Sequence, residues 1–186
     1  PEFLYPGCGY GGSCFPKDVG ALRSMFKLDR TKSLLLDAVH AVNENQKTYL
    51  IKKISKHFKG NLKNITIAVW GLTFKPKTDD TRFAPSIEMI DKLIKKGALI
   101  QAYDPVGTLK HLFKNNYTEY DTAIKALKNS SALLICTEWK EFWSLDPSSF
   151  NKYMKNSCIF DGRNIYSPSK LEAHGIKYYG IGKGNN

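Results

Sequence analysis

Ile65-Thr66-Ile67-Ala68-Val69-Trp70-Gly71-Leu72 is the stretch on which the reading of the fold turns. It is rich in β-branched residues, carries no charge and runs into a glycine, the pattern of a strand buried on both faces. Toward the C-terminus, strands and helices alternate. Helices are expected over residues 86–96, closed by Gly97, and over 121–127, 147–153 and 169–174. Between them, strands are expected over 99–103, 132–136, 158–160 and 177–181. This alternation predicts an α/β fold with a Rossmann-like, parallel, doubly wound sheet, whose ligand site lies beyond the carboxyl ends of the strands. The loops placed there are residues 73–85, 104–108, 137–145 and 161–168.

Upstream the pattern is different. Residues 1–18 are crowded with Gly and Pro and read as a loop, and 19–26 read as a short helix. From residue 31 to about 58, Leu35, Ala38, Val39, Val42, Tyr49, Leu50, Ile54 and Phe58 recur at steps of three and four, which predicts one long amphipathic helix stopped by Gly60 and Asn61. The chain thus divides into a helical linker or dimerisation segment, residues 1–59, and a sheet domain, residues 60–186.

With 186 residues, 42% of them hydrophobic and 24% charged, the chain belongs to the globular class rather than the disordered or fibrous ones. Its longest apolar stretches, such as 132–136, fall far short of the ~20 residues of a membrane helix, and no signal-peptide pattern opens it. A start without Met suggests a fragment. Cys8, Cys14, Cys136 and Cys158 show no CxxC spacing, so neither a zinc site nor a disulfide framework is expected, and a reducing, cytoplasmic setting follows. His40, His57, His111 and His174 have no ligand spacing and are expected on helix surfaces, with no metal bound. The net charge of +11 invites phosphate-bearing partners: nucleic acid, nucleotides or an acidic sister domain. No recognition-helix or RNP-type pattern supports nucleic acid.

Three loops could carry chemistry. In Gly7-Cys8-Gly9-Tyr10-Gly11-Gly12-Ser13-Cys14-Phe15-Pro16-Lys17-Asp18, Cys14 follows a glycine-dense turn, with Lys17 three residues on and a helix start nearby. A positive field there favours the nucleophilic thiolate, and Asp18 could hold a water or act as base. The same residues would also make a tight turn around a buried, inert cysteine, with a solvated Lys-Asp pair. Gly7, Gly9 and Gly12 match GxGxxG but lack the preceding strand of a dinucleotide fingerprint. In the loop from Gly71 to Arg82, Lys75, Lys77 and Arg82 suit a diphosphate and Phe74 offers a face for a base or sugar; the alternative is a polar loop whose Thr/Asp run caps the next helix. Asp161-Gly162-Arg163-Asn164 places another arginine at a later strand end. Trp139, Phe142 and Trp143 are spaced like a helical face and are expected in the core or an interface.

GGSCFPKD (residues 11–18), AVNENQK (41–47), GLTFKPKTDDTR (71–82), YDP (103–105) and DGRN (161–164) together resemble the UDP-glucose 6-dehydrogenase family of nucleotide-sugar dehydrogenases, in family order and over essentially the whole chain. The resemblance implies a two-step, four-electron oxidation of a sugar C6 alcohol to a carboxylate with NAD as cofactor, converting UDP-glucose to UDP-glucuronate. It implies that Cys14 and Asp18 are catalytic. Cys14, Lys17 and Arg82 would approach NAD, while Tyr5, Gly7, Gly9, Tyr10, Gly11, Phe74, Lys75 and Arg163 would hold the UDP-sugar. Sibling enzymes resemble GGSCLPKD or GGHC here, so Ser13 and Phe15 favour UDP-glucose. The resemblance places the chain in the C-terminal part of a longer enzyme, with an N-terminal NAD-binding domain as its partner. It also implies a homodimer formed through the long helix.

Overall fold

The computed structural model describes residues 5–184. Residues 1–4 of the expected N-terminal loop lie outside the described residues. Two helices come first, α1 (Phe15–Leu28) and α2 (Leu34–His57). The alternating part follows as β1 (Thr66–Trp70), α3 (Pro85–Lys95), β2 (Leu99–Tyr103), β3 (Tyr117–Glu119), α4 (Ala123–Leu127), β4 (Ala132–Ile135), α5 (Lys140–Trp143), α6 (Pro147–Tyr153), β5 (Cys158–Asp161), α7 (Pro168–Glu172), β6 (Lys177–Gly180) and β7 (Lys183–Gly184). The sheet order is β3-β2-β1-β4-β5-β6-β7. Neighbouring pairs are parallel from β3 through β6. The strand order reverses between β1 and β4, where open α/β sheets hold their ligands.

β1 is central because its side chains feed two cores. Ile67 and Val69 join Leu50, Ile54, Met89, Ile90, Leu93 and Ile100 on one face. Ala68 and Trp70 join Leu133, Ile135, Phe142, Phe150 and Leu171 on the other. The Trp70 ring stacks on Phe142 with centroids 5.0 Å apart, and its indole N–H donates to the Ala123 carbonyl at 3.1 Å, so the large side chain is packed and its polar atom satisfied. The last turns of α2 sink Leu50, Ile51 and Ile54 into the first core, whereas Leu34, Leu35 and Val42 in its first half are exposed.

Several expectations change. α1 begins at Phe15 rather than at residue 19, because Pro16 in its first turn presets a helical φ and gives up an N–H that would have no partner there. The strand β7 runs antiparallel to β6, so the sheet is parallel over six strands and closes with a reversed edge. Inside the expected loop 137–145, α5 forms so that Phe142 can be fully buried, while Trp143 stays 57% exposed. The aromatic triplet is therefore not one face.

His57 is not a free surface residue. Its Nδ1 lies 3.1 Å from the Tyr179 hydroxyl, and its ring meets Phe160 edge-on at 5.8 Å. Burial, helped by the charge of Lys177, holds its pKa below the ordinary value. The folded chain therefore favours neutral imidazole, while the unfolded chain takes up a proton below about pH 6.5. Stability from this group is full above that pH and falls as pH drops toward the depressed folded value. We expect the melting temperature of His57→Gln to fall less than that of the wild type between pH 7 and pH 5; parallel curves in a calorimetric pH series would contradict the assignment.

Candidate active site at the strand ends

The site is built by draping one loop over the carboxyl ends of β4 and β5. Cys8 is its anchor. The side chain is buried, and its thiol donates weakly to the carbonyls of Ile135 at 3.9 Å and Gly162 at 3.6 Å. Gly162 is dictated by this approach, since a β-carbon there would collide with the Cys8 sulfur. From the other side α2 fixes the loop. The Tyr10 N–H donates to Asn43 Oδ1 at 2.7 Å, Asn43 Nδ2 donates to the Tyr10 carbonyl at 3.3 Å, and Gln46 Nε2 donates to the Gly7 carbonyl at 2.7 Å. The loop then reaches the segment after β1, where the Gly12 N–H donates to the Arg82 carbonyl at 2.9 Å. Gly12 has φ +89°, and a β-carbon on it would come within 2.8 Å of the Phe74 ring, so it is needed for both its conformation and its lack of bulk.

Cys14 is thereby delivered to the surface at the N-terminus of α1, two residues past the Phe74 contact. The buried cysteine of the turn is Cys8, and Cys14 is exposed. Ser13 Oγ lies 3.7 Å from the Cys14 sulfur. Lys17 and Asp18 pair at 3.6 Å and are both exposed. Arg82 makes two 2.9 Å bonds to the Asp80 carboxylate, which hold the carboxyl of Asp80 below its ordinary pKa. The Thr/Asp run therefore does not cap α3, whose N-cap is Ala84 with no side-chain bond. Lys75 is exposed, with its ammonium 5.4 Å from the centre of the Phe74 ring. Lys77 lines a depression of about 540 Å³ with Thr78, Asp79, Val106 and Trp139.

The DGRN stretch divides its work residue by residue. Asp161, fully buried, accepts from the N–H groups of Arg163 and Tyr166, both at 3.0 Å, and from the Tyr178 hydroxyl at 3.2 Å. Burial raises its pKa against these bonds. Asn164 exchanges two 2.9 Å bonds with the backbone of Ile181. Arg163 is left to face the loop, packed on Gly7, with Nε on Glu138 at 2.5 Å. The structure thus brings Gly7, Gly9, Tyr10, Gly11, Phe74, Lys75 and Arg163 to one end of the sheet beside Cys14, Lys17, Asp18 and Arg82. Tyr5 is 69% exposed at the edge of the described residues.

Four residues that shape the site carry no assigned role in the sequence reading: Asn43 and Gln46 within AVNENQK, Asp104 within YDP, and Glu138, which falls in no quoted motif. The first two lie three apart on one face of a helix, a usable signal for side chains reaching a common neighbour. Asp104 follows β2 directly. One of its oxygens accepts from the N–H groups of Leu72 and Thr73 at 2.7 and 3.2 Å, the Thr73 hydroxyl at 3.1 Å and the Trp139 indole at 3.1 Å; the other accepts from Val106 and Gly107 at 3.0 and 2.8 Å.

Comparison with known proteins agrees with this geometry. Residues 68–168 match the UDP-glucose/GDP-mannose dehydrogenase family, UDP binding domain, and residues 1–45 match the central domain of the same family. The UDP-glucose 6-dehydrogenase of Pseudomonas aeruginosa is 38% identical over 98% of this chain, and that of Rickettsia bellii is 41% identical over 97%. The chain spans 42% of the length of each. Among solved structures, a UDP-glucose dehydrogenase from Pyrobaculum islandicum superposes with a TM-score of 0.80 at 27% identity, covering 94% of this chain and 38% of its own. A UDP-D-ManNAc dehydrogenase from Pyrococcus horikoshii gives 0.80 at 29% identity, covering 97% of this chain and 40% of its own. Among the described residues, no helix is long and apolar enough to cross a membrane. A sheet that switches direction beneath a draped glycine loop, matched in sequence over more than half its length, identifies the chain as belonging to the UDP-glucose/GDP-mannose dehydrogenase family.

Proposed function

We propose that these residues form the UDP-sugar and thiol part of an NAD-dependent UDP-glucose 6-dehydrogenase, which oxidises UDP-glucose to UDP-glucuronate. The observation that carries this reading is the exposed Cys14 sulfur at a helix N-terminus, three residues before Lys17 and two past Gly12, which bonds the Arg82 carbonyl and lies against the Phe74 ring. Phe74, Lys75, Arg163 and the loop from Tyr5 to Gly11 hold the nucleotide and diphosphate, which points the sugar C6 at Cys14. Once the alcohol has been oxidised to an aldehyde, the Cys14 sulfur adds to its carbonyl carbon. The resulting thiohemiacetal is oxidised to a thioester. Water oriented by Asp18 then breaks the C–S bond, releasing the carboxylate and returning the thiol. Ser13 and Phe15 favour UDP-glucose over its relatives.

NAD supplies the hydride acceptor for both oxidations. This sheet does not itself offer a dinucleotide cradle, because the Asp104 carboxylate past β2 is filled by protein donors. The exposed cations Lys17 and Arg82 do fit the phosphates of a dinucleotide held by another domain. A polypeptide of only these 186 residues should therefore bind UDP-glucose and not turn it over. Orientation of two reactants contributes roughly 7–11 kcal/mol to lowering a barrier, and losing half of that slows a reaction by about three orders of magnitude. By titration calorimetry, Lys75→Ala should weaken UDP-glucose binding about tenfold, the order expected for one charge-assisted contact, while Cys14→Ala leaves it nearly unchanged. No binding at millimolar concentration, or NADH production at a rate typical of an enzyme, would refute this.

Thiol chemistry is checked separately. Burial pushes the Cys158 thiol up to about 12, and contact with Cys8 together with burial raises Cys136 well above the ordinary thiol range. Iodoacetamide mapping near neutral pH should find Cys14 alkylated first; a slower Cys14 than Cys136 or Cys158 would contradict its role.

The exposed Leu34, Leu35 and Val42 of α2 and Leu22, Met25 and Leu28 of α1 support a homodimer through this segment. Light scattering at micromolar concentration should give a dimer that Leu35→Lys or Val42→Lys converts to monomer, and a monomeric wild type would sink the proposal.

A further inference from the structure

Arg163 reaches the site with one edge of its guanidinium already engaged. Nε donates to Glu138 Oε2 at 2.5 Å, and the two side chains are only 18% and 33% exposed. A terminal nitrogen packs against Gly7 so closely that a β-carbon there would collide with it. Glu138 lies just past β4 and Arg163 just past β5, neighbouring strands that pair Ile135 with Asp161. The ion pair therefore spans two strand ends directly under the draped loop. Among the described residues, Glu138 makes no other hydrogen bond through its side chain.

We propose that Glu138 is a positioning residue for UDP-sugar binding: it clamps the Arg163 guanidinium by Nε so that the remaining N–H groups are held toward the glycine loop and the ligand. This rests on the reading of Arg163 as a UDP-sugar contact. An arginine has five N–H donors in a rigid fork, and fixing the Nε edge fixes the direction of the other four. A ligand then meets a donor set that has already lost its rotamer freedom, which is the gain from preorganisation. The charge of Glu138 opposes a diphosphate, but it is neutralised at contact distance by Arg163 and screened by solvent at its exposed edge. The preorganisation term therefore sets the sign.

The test is a double-mutant cycle on the 186-residue chain, with UDP-glucose affinity read by calorimetry and melting temperature read in parallel. Glu138→Ala should weaken binding about tenfold in the wild-type background and change it less than twofold in Arg163→Ala, the order expected for losing one charge-assisted contact. Glu138→Met keeps the length and bulk but offers Nε no oxygen acceptor and should lose most of the same affinity while preserving the fold, so it carries the test if the alanine variant does not fold. A merely structural residue would lower the melting temperature and weaken binding equally in both backgrounds, which would overturn the proposal. Unchanged or tighter binding in Glu138→Met, with Arg163→Ala still weakened, would overturn it alone. Unchanged affinity in Arg163→Ala would remove the role of Arg163 and this proposal with it.

Discussion

One carboxylate ties the business end of the sheet together. Asp104 gathers six donors from three separate segments: the chain leaving β1, the turn after β2 and the tryptophan after β4. An ionised oxygen accepting several N–H bonds is among the stronger polar anchors a protein can build, and removing it would strand buried donors at once. Its position decides where Leu72 and Thr73 lie, and hence where Phe74 and Lys75 emerge. Related bonds lock the same backbone from its other side: the Ser86 hydroxyl donates to the Leu72 carbonyl at 2.6 Å and the Thr137 hydroxyl to that of Thr73 at 2.5 Å. In dinucleotide-binding sheets, an acidic residue beyond the first glycine turn takes a ribose hydroxyl. Here the comparable carboxylate is spent on architecture, which fits a sheet specialised for a different nucleotide.

The second constraint is steric. The glycine loop has no regular structure to define it, so it is held by what it touches: Cys8 in the core, Asn43 and Gln46 above, Arg163 alongside and the Phe74 ring beneath Gly12. Each contact bears on a backbone that side chains would have kept at a distance. Glycine density and the placement of the Cys14 thiol are thus one feature, because a loop this thin lies flat on the strand ends and still lifts Cys14 to the surface.

How much of this was legible in sequence depended on how local the cause was. The strand Leu99–Tyr103 and the helix Pro147–Tyr153 were read to the residue, since Gly97 and Pro105 bracket the first and Asp146-Pro147 caps and starts the second. Tyr117–Glu119, Lys183–Gly184 and Lys140–Trp143 escape because each has only two to four residues, too few for a period, and forms through its partners: β2, the turn back from β6, and the core that receives Phe142. The same division runs through the site. Cys14, Lys75, Phe74 and Arg163 declare themselves by residue chemistry, and the structure gathers them at one end of the sheet. Asn43, Gln46 and Asp104 lie inside the AVNENQK and YDP motifs, but their partners are 32 to 39 residues away, as that of Glu138 is 25 away, so sequence marks the first three without giving any of the four a role.

The helix α2 has a mechanical consequence. Its 24 residues form a rod of about 36 Å, rooted at one end by Leu50 and Ile54 and tied to α1 at the other by the 2.6 Å bond from Arg23 Nε to the Asp37 carboxylate. Asn43 and Gln46 sit between these two ends, so the loop is attached partway along the rod. A load on the α1 end of the rod reaches the loop carrying Cys14 through these two side chains. The geometry of the thiol is thereby mechanically linked to whatever rests on the outer half of that rod.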